Sequence, residues 1–274
     1  MLLPLKDDNP LKRIPYQYVT VALIGLCVIV FMWQLSLGEA GGRKAVLGFG
    51  AIPSVLFGSR TLPLELATIP APLTLITSMF MHGGWMHLIG NMLFLWVLGD
   101  NVEDAMGHRR FIVFYILCGI AAALTHAGLD PDSTTPMIGA SGAISGVIGA
   151  YLILHPKAQI LTLAFRFFIH IPAYIMLGIW IAMQVINVSM ATNTGGGGVA
   201  WWAHIGGLIA GCILIAPMRH KSVPLLAGFG KNTVEPEPEE APPSGPWGRL
   251  TLGQAKDHKK RRARRSFIPD SGNK

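Results

Sequence analysis

Between residues 18 and 219, long apolar stretches are separated by short polar breaks. They run over about 18–37, 85–100, 110–128, 141–155, 168–190 and 200–218, and most are long enough to cross a bilayer as helices. The chain is therefore predicted to be an all-α, polytopic membrane protein with six transmembrane helices. The first stretch is too long for the apolar core of a signal peptide, and no small-x-small site follows it, so it reads as a retained span. The fourth stretch stands apart. Its 15 residues rise only about 22 Å as a helix, against a hydrocarbon core of about 30 Å. Ser141 opens it within Gly139-Ala140-Ser141-Gly142, and His155-Pro156-Lys157 closes it. With the lysine end at one water interface, the serine hydroxyl lies several ångströms inside the membrane.

Composition supports the membrane assignment, because only 14% of residues are charged whereas soluble domains carry about 25%. The net charge of +7 is concentrated in Lys259-Lys260-Arg261-Arg262 and Arg264-Arg265. It reads as a local basic patch able to touch anionic lipid and not as a nucleic-acid surface. Cys27, Cys118 and Cys212 each lie in an apolar run, with spacing that suits neither zinc nor a disulfide framework.

Lys6, Lys12 and Arg13 precede the first span, Arg109 and Arg110 separate the second from the third, and Lys157 and Arg166 separate the fourth from the fifth. Arg219 and Lys221 follow the sixth. By the positive-inside rule both termini are cytoplasmic. The chain then divides into a cytoplasmic segment 1–17, a membrane domain 18–219 and a disordered cytoplasmic tail 220–274, the last rich in Pro-Glu repeats. Residues 38–84 form a long external loop, apolar enough to hold short amphipathic helices in the outer interface. The 192–199 loop contains Gly195-Gly196-Gly197-Gly198 and is expected to be mobile, and Trp201 and Trp202 then enter the sixth span at an aromatic belt.

On this topology His82, His87, Asn91, Ser141 and His204 all fall in the outer half of the membrane, on three spans running in the same direction. Ionisable groups at that depth are functional candidates, because burying them without purpose is costly. His87 and Asn91 are i,i+4 and share a helix face. Gly142, Gly146 and Gly149 make a strip of small residues beside Ser141, and Gly207 and Gly211 make another beside His204. Such strips let helix backbones approach closely in lipid, and facing each other they would bring His204 to Ser141. A nucleophile and its general base need that proximity.

Over residues 70–215 or so, the motifs His82…His87-x-x-x-Asn91, Gly139-Ala140-Ser141-Gly142 and Ala203-His204-x-x-Gly207-x-x-x-Gly211 resemble those of the rhomboid intramembrane serine proteases. Glu103-x-x-x-Gly107-x-x-Arg110-Phe111 resembles that family's connection between its second and third helices. The resemblance implies a rhomboid-like bundle of the six-helix bacterial type, multi-pass in the plasma membrane. It implies a serine endopeptidase with a Ser141–His204 dyad, needing no cofactor or metal. His87 and Asn91 would stabilise the oxyanion, helped by the Ser141 N–H, with Gly139 shaping the turn. His82 would be accessory. The partners implied are transmembrane protein substrates, entering sideways near the fifth span, and the lipid bilayer.

Two positions depart from the family. Leu73-Thr74 stand where Trp-Arg is common, and Ser145 stands where many members carry an aromatic that stacks on the histidine. Packing or a hydrogen bond must therefore hold His204. Asp100 and Asp104 lie at the wrong end of the second span to do so. Two other readings remain: a non-proteolytic relative that binds membrane clients, and a histidine-based metal or proton transporter. The first would lack Ser141 or His204, and for the second no intramembrane carboxylate relay is visible.

Overall fold

The computed structural model describes residues 2–164, 166–194 and 201–227, and the statements below concern these. The Gly195–Gly198 loop, and the tail with its basic cluster, lie outside the described residues. The chain opens with β1 (Leu2–Asp7), followed by α1 (Tyr18–Ser36), α2 (Gly38–Phe49) and α3 (Pro53–Leu56). Two single turns of 3₁₀ helix, Ala71–Leu73 and Ser78–Phe80, flank α4 (Thr74–Thr77). Then come α5 (Trp85–Met106), α6 (His108–Leu129), α7 (Ser141–Leu154), β2 (Gln159–Ala164), β3 (Phe167–Pro172), α8 (Ala173–Thr194) and α9 (Trp201–Met218).

The molecule is mostly helical, but it is not all-α. β1, β2 and β3 form an antiparallel sheet in that order. The apolar run taken to begin the fifth span at 168 is instead strand as far as Pro172, and the helix starts at Ala173. Phe167, Phe168, Ile169 and Ile171 are β-formers, and Pro172 blocks helix before it while suiting the start of one. The N-terminal segment is likewise structured, with Leu3 opposite Leu163 and Asp7 opposite Ile160. β2 turns Ile160, Thr162 and Ala164 to a buried face. Residues 220–227, expected to begin the tail, are tied down. The His220 N–H donates to the Ala105 carbonyl at 2.7 Å, and the Leu226 and Ala227 N–H groups donate to Ile153 and Leu154.

Three helices, Tyr18–Ser36, His108–Leu129 and Trp201–Met218, are long and apolar enough to cross a membrane by length and composition. α1 buries Val19, Leu23, Cys27 and Phe31, spaced four apart on one face, and exposes Ile29 and Met32 on the other. α7 is different: every residue from Gly142 to Tyr151 is buried, so it forms the centre of the bundle. Residues 38–84 hold α2–α4, short helices as expected for that segment. The three cysteines are free.

The end of the bundle beside the sheet is held by two adjacent carboxylates of α5. Glu103, fully buried, accepts the N–H groups of Val19 and Thr20 at 3.0 and 2.8 Å and the Thr20 hydroxyl at 2.7 Å. It also meets His108 Nδ1. A helix leaves its first N–H groups without internal acceptors, and here a carboxylate from another helix supplies them at the favourable end of the α1 dipole. Asp104 accepts the N–H groups of Lys12, Arg13 and Ile14 at 3.1, 2.6 and 2.8 Å, clasping the strap between β1 and α1. Gly107 at φ +79° makes the turn into α6, and Arg110 reaches the carbonyls of Met218 and Arg219 at the end of α9.

Glu103→Ala would leave three buried donors without an acceptor. It is expected to lower unfolding stability by about 2–5 kcal/mol, read as a fall in thermal midpoint of the detergent-solubilised protein. A loss under about 0.5 kcal/mol would contradict the capping role.

Candidate active site

Ser141 is the first residue of α7, so its N–H has no intrahelical acceptor and points out of the positive end of the helix. The chain that delivers it is pinned from two sides. Met137 pairs with Ala51 through two backbone hydrogen bonds of 2.8 and 3.0 Å. The Gly139 N–H donates to the Ser78 carbonyl at 2.8 Å. Gly139 sits at φ +120°, and a Cβ there would lie 2.6 Å from His87 Nε2. Only glycine lets the backbone pass beneath that ring. Since its own N–H is engaged, Gly139 contributes shape to the pocket.

α7 and α9 meet backbone to backbone. A Cβ on Gly207 would collide with the Gly142 carbonyl, and one on Gly211 with the Gly146 carbonyl. Gly149 is equally closed by the Leu208 carbonyl. The two small-residue strips thus do face each other, as their spacing predicts. At the open end of this contact His204 Nε2 lies 2.9 Å from Ser141 Oγ. Both line a cavity of about 1030 Å³, together with His87, Asn91, Trp180 and Gln184.

The other ring nitrogen of His204 meets Gln184 Oε1 at 2.8 Å, across from α8. The Gln184 amide N–H₂ donates to the Trp180 carbonyl at 3.2 Å, so its oxygen is the atom facing the ring. Gln184 can then only accept, the proton sits on Nδ1, and Nε2 is left to accept from the Ser141 hydroxyl. Trp180 lies tilted against His204 at 5.9 Å between ring centres and Trp201 stands edge-on at 5.8 Å, so aromatics from α8 and α9 flank the ring. Ser145 turns away, its hydroxyl donating to the Ser141 carbonyl at 2.7 Å. A Cβ on Gly207 would come within 3.3 Å of the Ser145 Cβ, so the glycine leaves room for this residue.

His87 and Asn91 share one face of α5, beside Gly139. The Gly83 N–H donates to His87 Nδ1 at 3.4 Å, which leaves the His87 proton on Nε2. Asn91 is buried and its Nδ2 has no partner. A buried donor without an acceptor costs free energy unless something transient fills it. His82 is 2% exposed and clamped by α1: Gln34 accepts its N–H at 3.0 Å and donates to its carbonyl at 3.2 Å. Its ring bonds the Phe80 carbonyl and rests edge-on against His87 at 5.2 Å. His82 therefore buttresses His87.

Of the residues anticipated for the site, Ser141, His204, His87, Asn91, Gly139 and Gly142 line this cavity, His82 lies behind His87, and Gly146, Gly207 and Gly211 lie in the contact between α7 and α9. Two glutamines were missed. Gln184 shares the predicted fifth span with Asn187, and an amide within an apolar run is itself a signal. Gln34 occupies the same kind of position in α1.

Residues 71–221, more than half of the chain, match the Rhomboid domain. The chain is 30% identical over 183 residues to Rhomboid protein 1, mitochondrial, of Saccharomyces cerevisiae, covering 63% of this chain and 50% of that protein. It is 34% identical over 159 residues to Rhomboid protease GluP of Bacillus subtilis, covering 57% and 27%. It is 31% identical over 160 residues to Rhomboid protease AarA of Providencia stuartii, covering 52% of each. The chain thus spans about a quarter to a half of the length of these curated relatives.

Gly211→Ala would push α9 off α7 and separate His204 from Ser141. A fall of at least tenfold in serine reactivity toward a fluorophosphonate probe is expected, with loss of thermal stability. Gly25→Ala, where nothing lies within 4 Å, should leave both unchanged or slightly raise stability.

Proposed function

The chain belongs to the rhomboid family, and from that premise we propose that it is an intramembrane serine endopeptidase acting on transmembrane protein substrates. The observation that carries this reading is the 2.9 Å contact between Ser141 Oγ and His204 Nε2 at the wall of a cavity of about 1030 Å³. A hydroxyl and a neutral imidazole at that separation are a nucleophile and a general base.

The chemistry follows from the groups present. His204 Nε2 takes the Ser141 proton as Oγ attacks the scissile carbonyl carbon. The carbonyl π electrons move onto oxygen, and the resulting oxyanion meets the idle donors: Asn91 Nδ2, the His87 Nε2–H and the Ser141 N–H. His204 then returns the proton to the leaving amine, and the C–N bond breaks to leave an acyl-serine. A water entering the cavity loses a proton to His204, attacks the ester, and the reverse transfer frees Ser141. No carboxylate among the described residues takes part.

In the bilayer, α1, α5, α6, α7, α8 and α9 act as six spans. Lys6, Lys12, Arg13, Arg109 and Arg110 favour the cytoplasm for the sheet end and both termini. The Ser141 end then opens to the outside, where water can enter, and α2–α4 lie along the outer interface. In a cell with this polarity the protein resides in the plasma membrane.

Ser141→Ala and His204→Ala should each abolish cleavage of a transmembrane reporter substrate in proteoliposomes, while leaving the thermal midpoint in place. Asn91→Ala should retain measurable turnover at about 10²- to 10³-fold lower kcat. Cleavage by Ser141→Ala at the rate of the unaltered protein would sink the proposal.

A further inference from the structure

We propose that Gln184 is the positioning residue of this site: by accepting the Nδ1–H of His204 it holds the ring in the tautomer that leaves Nε2 able to take the Ser141 proton. This inference rests on the reading of Ser141 and His204 as nucleophile and base. Four observations converge on it. Gln184 Oε1 is 2.8 Å from Nδ1, on the side of the ring opposite the 2.9 Å contact of Nε2 with Ser141 Oγ. The amide is itself fixed, since its N–H₂ is held by the Trp180 carbonyl one turn back on α8. Gln184 is only 6% exposed, so water does not compete for the contact. No other described group does the work: Trp180 and Trp201 flank the ring without lying flat on it, and Ser145 is bonded to the Ser141 carbonyl.

The titratable side chains that act on His204 are His87 from α5 and His126 from α6. Neither brings a negative charge. The ring that becomes imidazolium during the attack is therefore steadied by an amide dipole in place of a counter-ion. A neutral acceptor fixes geometry and tautomer while adding little to the basicity of the ring. The alternative is that Gln184 merely joins α8 to α9 as a polar contact between apolar helices.

Substitutions separate the two. Gln184→Met keeps length and volume but removes the acceptor. In the full-length protein in proteoliposomes it should lower kcat about a hundredfold, with KM within about threefold and the fluorophosphonate labelling rate of Ser141 falling in parallel. Gln184→Glu restores an acceptor and adds a negative charge beside the ring. It should recover much of kcat and move the acid limb of the pH–activity profile upward by about one unit or more. A helix-joining contact would instead lower the thermal midpoint of both variants and leave kcat of Gln184→Met within twofold of the unaltered protein. Gln184→Met with kcat within twofold of the unaltered protein would overturn the proposal. Should that variant not fold, an unmoved acid limb in Gln184→Glu would overturn it equally. Ser141→Ala run alongside keeps the two readings apart. If it still cleaves, the dyad itself is wrong; if it is dead while Gln184→Met is fully active, only the Gln184 assignment fails.

Discussion

The close approach of α7 to α9 is the constraint from which the rest of the bundle takes its shape. In lipid, apolar side chains gain little by leaving hydrocarbon for protein, so helix contacts must be won by fit and by polar pairing. Here Gly207 and Gly211 rest on the carbonyls of Gly142 and Gly146 with no side chain between them. That intimacy leaves α7 buried along almost its whole length, although it has only 14 residues. A helix so short can sit at the centre because its neighbours enclose it, and its serine end need not reach the opposite headgroups. The enclosure of α7 and the nearness of His204 to Ser141 are then two outcomes of one packing choice.

The two ends of the bundle handle backbone polarity in opposite ways. At the sheet end nearly every loose group finds a partner. Glu103 closes the start of α1, Asp104 gathers the strap at 12–14, and Tyr151 and Asn101 both donate to Asp7, at 2.6 and 2.8 Å. At the serine end donors are left idle: the first N–H of α7 and the amide of Asn91. Saturation makes one end rigid, and idleness makes the other receptive to a group that gains negative charge. The same helix, α5, serves both ends, carrying Glu103 and Asp104 at one terminus and His87 and Asn91 near the other.

Helix positions and the meeting of Ser141 with His204 were legible because they are written in local spacing. Apolar run length gives a helix, and i,i+4 glycines give a face. The sheet was not legible, for two reasons. β3 runs without a polar break into α8, so a strand and a helix share one apolar signal that length alone cannot divide. Its other outer strand, β1, is drawn from the far N-terminus, and no local pattern reveals a partner so distant. Gln184 was not legible because it is a neutral amide on α8, and no local spacing ties it to His204 on α9. The absence of an aromatic at 145 did say that something else must hold His204, and only the fold could say what. Glu103 carried a recognisable motif, yet its task of closing a helix from the side needs the third dimension to be seen.

The pairing of β1 with β2 also sets a clock. The strand made first, Leu2–Asp7, has its partner at Gln159–Ala164, on the order of 150 residues downstream. At ribosomal rates of 5–20 residues per second that is a wait of roughly ten to thirty seconds. During this interval α1, α5, α6 and α7 are all made while Leu2–Asp7 waits for its partner strand. Completion of the sheet therefore marks a late stage of assembly, reached only once the hairpin before α8 has emerged.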